Sequence, residues 1–481
     1  MTFTPHPWQT AAVAAYFDHG GVVVWMDAGC GKTFTAAEIA RRCRRPLVCA
    51  PASVIPQTMA MFRSYGVECA EAKSNPGLNW DGVVAFASYT WLQQAAQQDF
   101  FERFSPTDVL LDEFHLVKNL GGRGRKGNSA AVRLNRYLVS DWAVRVGVFT
   151  ASPWGTKLED VASGLRFALR KRAPVPPTRD GVAMLSERLD RDPAARAEWL
   201  ARLQATPGVF LDSDGAGAYQ GRVELRVVRR EPCLTLPDTW TLPDGWMLGS
   251  ASEAAGAARN LAWGFYRTRD PRPTEEFLEA RRAWAQVVRR VTERGACDTE
   301  SQVRALRPEE WAAYAAVADA QPPYTETVVW SEGATFEPLL NNLPEGTIIW
   351  ANSIPLQRAV SRALGCPWHH EKGLDADGVL LTDATAPVVV ASMKACHVGL
   401  NPQARFHHNL VLEPQADQEL MKQLIARTAR QGQPRDVVTV DLVVNCVESE
   451  NALRQSIVRA RVAYEATGKR NPLLQLEGKE I

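Results

Sequence analysis

The sequence predicts an α/β protein of two doubly wound parallel-sheet lobes with a mainly helical central region. Three observations carry this. Short uncharged apolar runs alternate with amphipathic stretches over the first 170 residues, the alternation fades from about 178 to 330, and it returns near Gly346. Such runs mark strands buried on both faces of a parallel sheet, and strand–helix alternation puts helices on both faces of it. The 481 residues accommodate two lobes of about 150 residues each plus a central insertion.

In chain order, Gly21 to Met26 reads as a buried strand ending in a glycine loop, and Thr33 to Arg45 as a helix. Pro46 to Ala50, Gly82 to Phe86, Asp108 to Leu111 and Ala143 to Phe149 read as four further strands. A proline-rich break follows at Lys171 to Pro177. Beyond it lie a strand-like segment, Arg222 to Val228, and two clear helical patterns, Thr274 to Thr292 and Pro308 to Ala320. Gly346 to Trp350, Ala386 to Ala391, Asn409 to Leu412 and Val437 to Leu442 supply the strands of a second lobe. The expected domains are 1–172 (first lobe), 173–335 (central, mostly helical), 336–470 (second lobe) and 471–481 (a loose tail).

Composition bounds the function. Hydrophobic residues are 46% and charged residues 23%, which excludes a disordered, collagen-like or coiled-coil chain. No apolar run is long enough for a membrane span, and Met1 to His6 lack the basic start and apolar core of a signal peptide. Nine scattered cysteines without a CxxC pair fit a reducing cytoplasm and not a disulfide scaffold. The net charge of +1 restricts any nucleic-acid contact to local patches.

Two motifs carry chemistry. Gly29-Cys30-Gly31-Lys32-Thr33 follows a strand and opens a helix. Backbone N–H groups of such a loop converge on phosphate oxygens at a helix N-terminus, with Lys32 on the β- and γ-phosphates and the Thr33 hydroxyl on magnesium. The generic pattern wants glycine five residues before Gly31, where this chain has Met26. Asp112-Glu113-Phe114-His115 ends a buried strand, where a carboxylate is costly unless paired or metal-bound. The pair suggests two tasks, Asp112 holding magnesium and Glu113 polarising the attacking water.

With these motifs in order, the chain resembles a helicase superfamily-two ATPase of the Swi/Snf branch. Asp112 to Asn119 resembles the branch's DEAH-x-x-KN element, and Gln423 to Gln433 its Q-x-x-x-R-x-x-R-x-G-Q element. Leu47 to Pro56, Phe149 to Ala168 and Gly399-Leu400-Asn401 resemble three more of its motifs. The likeness covers residues 1–170 and about 340–445, and Leu261 to Gly295 looks like compact phage or prophage members.

The resemblance implies two RecA-like lobes with ATP and magnesium between them. Gln9 would read the adenine edge, Arg427 and Arg430 would be arginine fingers, and Cys30, His115, Gly399 and Gln423 would join the nucleotide contacts. Loops facing a DNA backbone would be Pro51 to Ser53, Ser88 to Thr90, Lys118-Asn119 and Lys394 to Gly399, with Pro51, Ser53, Ser88, Lys118, Asn119 and Lys394 as the contacts. Thr150-Ala151-Ser152-Pro153 replaces the usual Thr-Gly-Thr-Pro, Asp27 supplies an acid one place after Met26, Pro402 follows Asn401, and Glu413 stands where asparagine is common.

Other features have plainer readings. Gly121 to Gly127 is a basic loop, as suited to a solvated surface as to phosphate clamping. Arg41, Arg42, Arg44 and Arg45 favour a helix C-terminus. Five of the eight histidines fall within His369 to His408, but with Cys366 and Cys396 they match no zinc ligand spacing. The 15 tryptophans fit core packing better than base stacking.

The function expected is an ATP-dependent DNA motor acting in phage replication, recombination or remodelling, with duplex favoured over single-stranded DNA and a protein partner for targeting. Strand separation stays open beside duplex translocation, so a phage replication helicase is one rival; the others are a low-turnover, ATP-bound recruitment subunit, an RNA-directed helicase, and a restriction motor whose nuclease is a separate partner.

Overall fold

The computed structural model describes all residues except 1–4, 27–28, 76, 115–128, 142, 152–153, 155–157, 212–218, 220, 246–247, 249–250, 294–299, 333, 335, 397–399 and 480–481. The chain divides into two compact units. The first comprises Met1–Ala218, Val288–Leu306 and Arg461–Asn471, and the second Tyr219–Val287, Arg307–Ala460 and Pro472–Ile481. No helix of the described residues is long and apolar enough to cross a membrane.

Among the described residues the first unit holds seven parallel strands: β1 (Gly21–Trp25), β2 (Pro46–Ala50), β3 (Cys69–Glu71), β4 (Val84–Ser88), β5 (Asp108–Asp112), β6 (Arg145–Thr150) and β7 (Val209–Phe210). Their order in the sheet is β3-β4-β2-β5-β6-β1-β7. Successive side chains alternate between two cores, with Val23 and Trp25 facing one and Val22 and Val24 the other. Val22, Val23 and Val24 have no exposed surface, and complete burial of each valine contributes roughly 1.5–3 kcal/mol. This two-sided burial is why the strands read as uncharged runs.

The helices Arg179–Arg191 and Pro193–Ala205 add Leu189, Trp199 and Leu203 to the first of these cores. Arg461–Asn471 contributes Ala463 and Ala466 to it, and Arg196 Nε meets Glu465 Oε2 at 2.6 Å. At the amino edge of the sheet Asp108 is fully buried and fully occupied. It accepts from Arg145 Nε at 2.7 Å, Tyr16 Oη at 3.0 Å and Thr107 Oγ1 at 2.7 Å. A buried carboxylate needs this saturation.

In the second unit, β8 (Arg222–Arg229), β11 (Thr347–Ala351), β12 (Trp368–His369), β13 (Val388–Ser392), β14 (His408–Val411) and β15 (Val437–Val444) form a parallel sheet in the order β12-β13-β11-β14-β15-β8, among the described residues. β9 (Phe265–Asp270) and β10 (Thr325–Trp330) form a separate antiparallel pair. The α/β fold with two RecA-like parallel-sheet lobes is therefore as the sequence predicts.

Three local expectations change. The strand-like segment of the central region, β8, is the edge strand of the second sheet, paired with β15 over eight residues. The helix expected to reach Arg45 stops at Ala40, and Arg44 and Arg45 instead bind Asp81, each at 3.0 Å. Pro46 opens β2, so a helix could not have continued to its neighbour. The expected loose tail carries Leu473 and Leu476, which are buried in the second unit's core.

Candidate functional site

Strand register assembles the site in the first unit. Trp25 lies beside Thr150, Phe149 beside Asp112, Leu111 beside Cys49, and Ala50 beside Ser88. Along one carboxyl edge the chain therefore presents, in spatial order, the glycine loop after β1, Thr150 of β6, Asp112 of β5, Pro51 after β2 and Ser88 of β4. Ligands of open parallel sheets bind outside this edge.

The glycine loop is shaped by its glycines. Gly29 and Gly31 both have φ of 87°, the left-handed region open to glycine. A Cβ on Gly31 would lie 2.3 Å from Gln9 Nε2. The cradle is thus one that any side chain would fill. The helix Lys32–Ala40 starts immediately after Gly31, aiming its first N–H groups at the loop. Gln9 is 2% exposed, accepts from the His6 N–H at 2.7 Å and donates from Nε2 to the Gly31 carbonyl at 3.1 Å. Lys32 Nζ donates to the Met26 carbonyl at 3.0 Å. Cys30 is buried, and Thr33 lies half-exposed in the first helical turn. Glycine backbone, helix start and an ammonium suit a polyphosphate, and the Thr33 and Asp112 oxygens suit magnesium, which usually takes only one or two protein ligands beside phosphate and water.

Asp112 and Glu113 are half-exposed. The Glu113 N–H donates to Asp112 Oδ1 at 3.1 Å. Glu113 has φ of 49°, a conformation costing a non-glycine residue about 1–2 kcal/mol. That turn sends its side chain toward β6, where Thr150 Oγ1 meets Glu113 Oε2 at 3.4 Å. The sequence places Tyr89 only in a loop expected to face the DNA backbone, whereas its hydroxyl donates to the Asp112 carbonyl at 2.6 Å. Nothing in the sequence signals that long-range bond.

Of the candidate nucleic-acid residues, Pro51 is buried and Ser53 half-exposed beyond β2. Ser88 Oγ accepts from the Trp91 N–H at 3.2 Å and lies 3.3 Å from the exposed Thr90 hydroxyl. His115, Lys118, Asn119, the basic loop Gly121 to Gly127, Asp27, Ser152, Pro153 and Gly399 lie outside the described residues.

In the second unit the helix Gln418–Ile425 ends before both candidate finger arginines. Arg427 is 6% exposed, and its Nη1 donates to the Leu400 carbonyl at 2.9 Å. Arg430, half-exposed, donates to Asn401 Oδ1. Gln433 Nε2 donates to the Thr428 carbonyl at 2.9 Å, and Gln423 is buried. The two motif segments, distant in sequence, are thus bonded to each other. Lys394 is exposed just beyond β13. Near it, Glu413 Oε2 accepts from the N–H groups of Asn352 and Ser353, each at 2.7 Å. Burial pushes the Glu413 carboxyl above its usual range, against the opposing pull of those N–H groups, Arg259 and Lys394. Among the described residues no group of three His, Cys, Asp or Glu is placed to hold a metal by itself.

Residues 2–136 match the family described as type III restriction enzyme, res subunit, a helicase superfamily-two family. The match contains the glycine loop, Pro51, Ser88 and the acidic pair, and stops before β6. Fold and match together define the class: an α/β protein with RecA-like lobes whose first part is similar to a superfamily-two helicase ATPase. No curated protein matches the chain.

Proposed function

We propose that the protein is an ATP-dependent motor that tracks duplex DNA, a Swi/Snf-type translocase of the compact kind encoded by phages, acting in replication, recombination or remodelling. The observation that supports it most is the register of β1, β6 and β5, which brings the glycine loop, Thr150 and the acidic pair to adjoining strand ends. Pro51 and Ser88 continue the same edge.

In this reading the loop N–H groups, Gly29, Cys30 and Gly31, cradle the phosphates, and Lys32 neutralises charge on the β- and γ-phosphates. Gln9 fixes the loop and meets the base. Thr33 and Asp112 would hold magnesium, which supplies further neutralisation of phosphate charge. Glu113, aimed by Thr150, accepts the proton of the attacking water. Arg430 and Arg427 act as arginine fingers, groups worth about 10³–10⁵ in rate, while His115, Gly399 and Gln423 complete the nucleotide contacts. Pro51, Ser53, Ser88, Lys118, Asn119 and Lys394 meet the DNA backbone, so binding weakens with salt.

A displaced-triplex assay beside a forked-duplex assay tests the motor. Triplex displacement that needs ATP and Glu113 supports a translocase, whereas fork unwinding without triplex displacement rejects it. The description of the matching family favours a second reading, a restriction motor with its nuclease on a partner. ATP-dependent DNA cleavage on adding such a partner would favour that reading.

A further inference from the structure

Tyr89 sits between two parts of the edge that the proposed function assigns to different ligands. Its neighbours Ser88 and Thr90 share a hydroxyl contact at 3.3 Å, with Thr90 exposed. Its own side chain turns inward, is 4% exposed, and donates to the Asp112 carbonyl at 2.6 Å. Two pairings separate Ser88 from Asp112, β4 to β2 and β2 to β5. The Tyr89 hydroxyl bypasses both.

The segment around Tyr89 is itself anchored. Buried Arg133 donates to the carbonyls of Leu92 and Gln94, and Trp91 packs edge-on against Phe100 with ring centroids 4.9 Å apart. A shift of the Ser88–Thr90 turn therefore cannot be absorbed by slack beyond it. Burial, reinforced by the nearby Cys49, Asp112 and Glu113, keeps the Tyr89 hydroxyl protonated and so a donor.

We propose that Tyr89 is a positioning residue that couples nucleic-acid contact at Ser88 and Thr90 to the placement of Asp112 and Glu113, through its hydrogen bond to the Asp112 main-chain carbonyl. The inference rests on the motor reading above. Small displacements of a reacting group cost large factors in rate, so one bond that sets the end of β5 is enough to regulate turnover.

The test uses the full chain and Tyr89→Phe. ATP turnover is measured with and without duplex DNA and across a magnesium titration, alongside DNA affinity by fluorescence anisotropy and thermal denaturation. The expected result is DNA affinity within about twofold of wild type, a DNA-stimulation factor lowered about tenfold and a raised magnesium midpoint. A folded Tyr89→Phe protein with full stimulation overturns the coupling while leaving the motor reading intact. A wild-type protein whose turnover no nucleic acid stimulates overturns both. Should Tyr89→Phe fail to fold, amide hydrogen exchange of the segment ending β5, which carries Asp112 and Glu113, is compared in wild type with and without duplex DNA. A change in its protection on DNA binding is the expected result, and identical exchange overturns the proposal. A side chain that only stabilises the fold would lower the denaturation temperature without moving the stimulation factor.

Discussion

At the carboxyl edge of the first sheet Lys32, Thr33, Asp112 and Glu113 are half-exposed, whereas in the second unit Gln423, Arg427 and Glu413 are buried. The first edge also holds the conformational cost of chemistry, with Glu113 at φ 49° and two glycines at 87°. The second satisfies its charged groups from its own backbone: Arg427 on the Leu400 carbonyl, Glu413 on two N–H groups. The contrast teaches that the two units hold their motif residues differently; under the proposed function it separates groups left open to the nucleotide from groups held by main-chain bonds.

The sharpest way to break this division is Lys32→Ala. Removing a charge that acts on the transferring phosphoryl should lower kcat about 10³-fold or more, with folding intact, as read by steady-state ATPase and circular dichroism. Wild-type turnover in this variant contradicts the role of the first edge. Next, Arg430→Ala and Arg427→Ala should separate. Arg430, half-exposed, should lose about 10³-fold in kcat with the smaller loss of stability of the two. Arg427 should in addition lose about 1.5–3 kcal/mol of stability, because the Leu400 carbonyl loses a charged donor. Equal stability in the two variants would remove the distinction between them.

Gly31→Ala should cost about 1–2 kcal/mol through its backbone conformation and displace Gln9, whose Nε2 stands 2.3 Å from the added carbon. Denaturant unfolding and fluorescent-nucleotide binding check both effects. The smallest effect concerns Glu413. Its carboxyl is raised in the folded state, so the fold binds more protons than the unfolded chain as pH rises out of the ordinary carboxylate range. Its contribution is complete below that range and is lost as pH rises through the raised value. Glu413→Gln should therefore gain stability relative to wild type with rising pH, and parallel pH profiles would count against the burial effect.

Much of the fold was legible because burial on both sheet faces leaves uncharged runs. Val22 to Val24 and Ile348 to Trp350 could be little else. The helix Pro308–Ala320 was legible to the residue from its proline start. What escaped was non-local. β8 is an ordinary strand-like segment in sequence, and only its pairing with β15 places it in the second sheet. β3, β7 and β12 are two or three residues long, too short for a period. The glycine loop was legible as a motif because its positive φ angles favour glycine, and the acidic pair because two carboxylates end an otherwise uncharged strand. The bonds of Tyr89 and Glu413 were not, because each joins a main-chain group far away in sequence, and main-chain partners leave no mark there.

The most direct measurement is the ATPase rate of wild type and Lys32→Ala with no nucleic acid, single-stranded DNA, duplex DNA and RNA. A duplex-tracking motor shows its largest stimulation with duplex DNA and none in Lys32→Ala. Turnover that no nucleic acid alters, or that survives loss of Lys32, would contradict it.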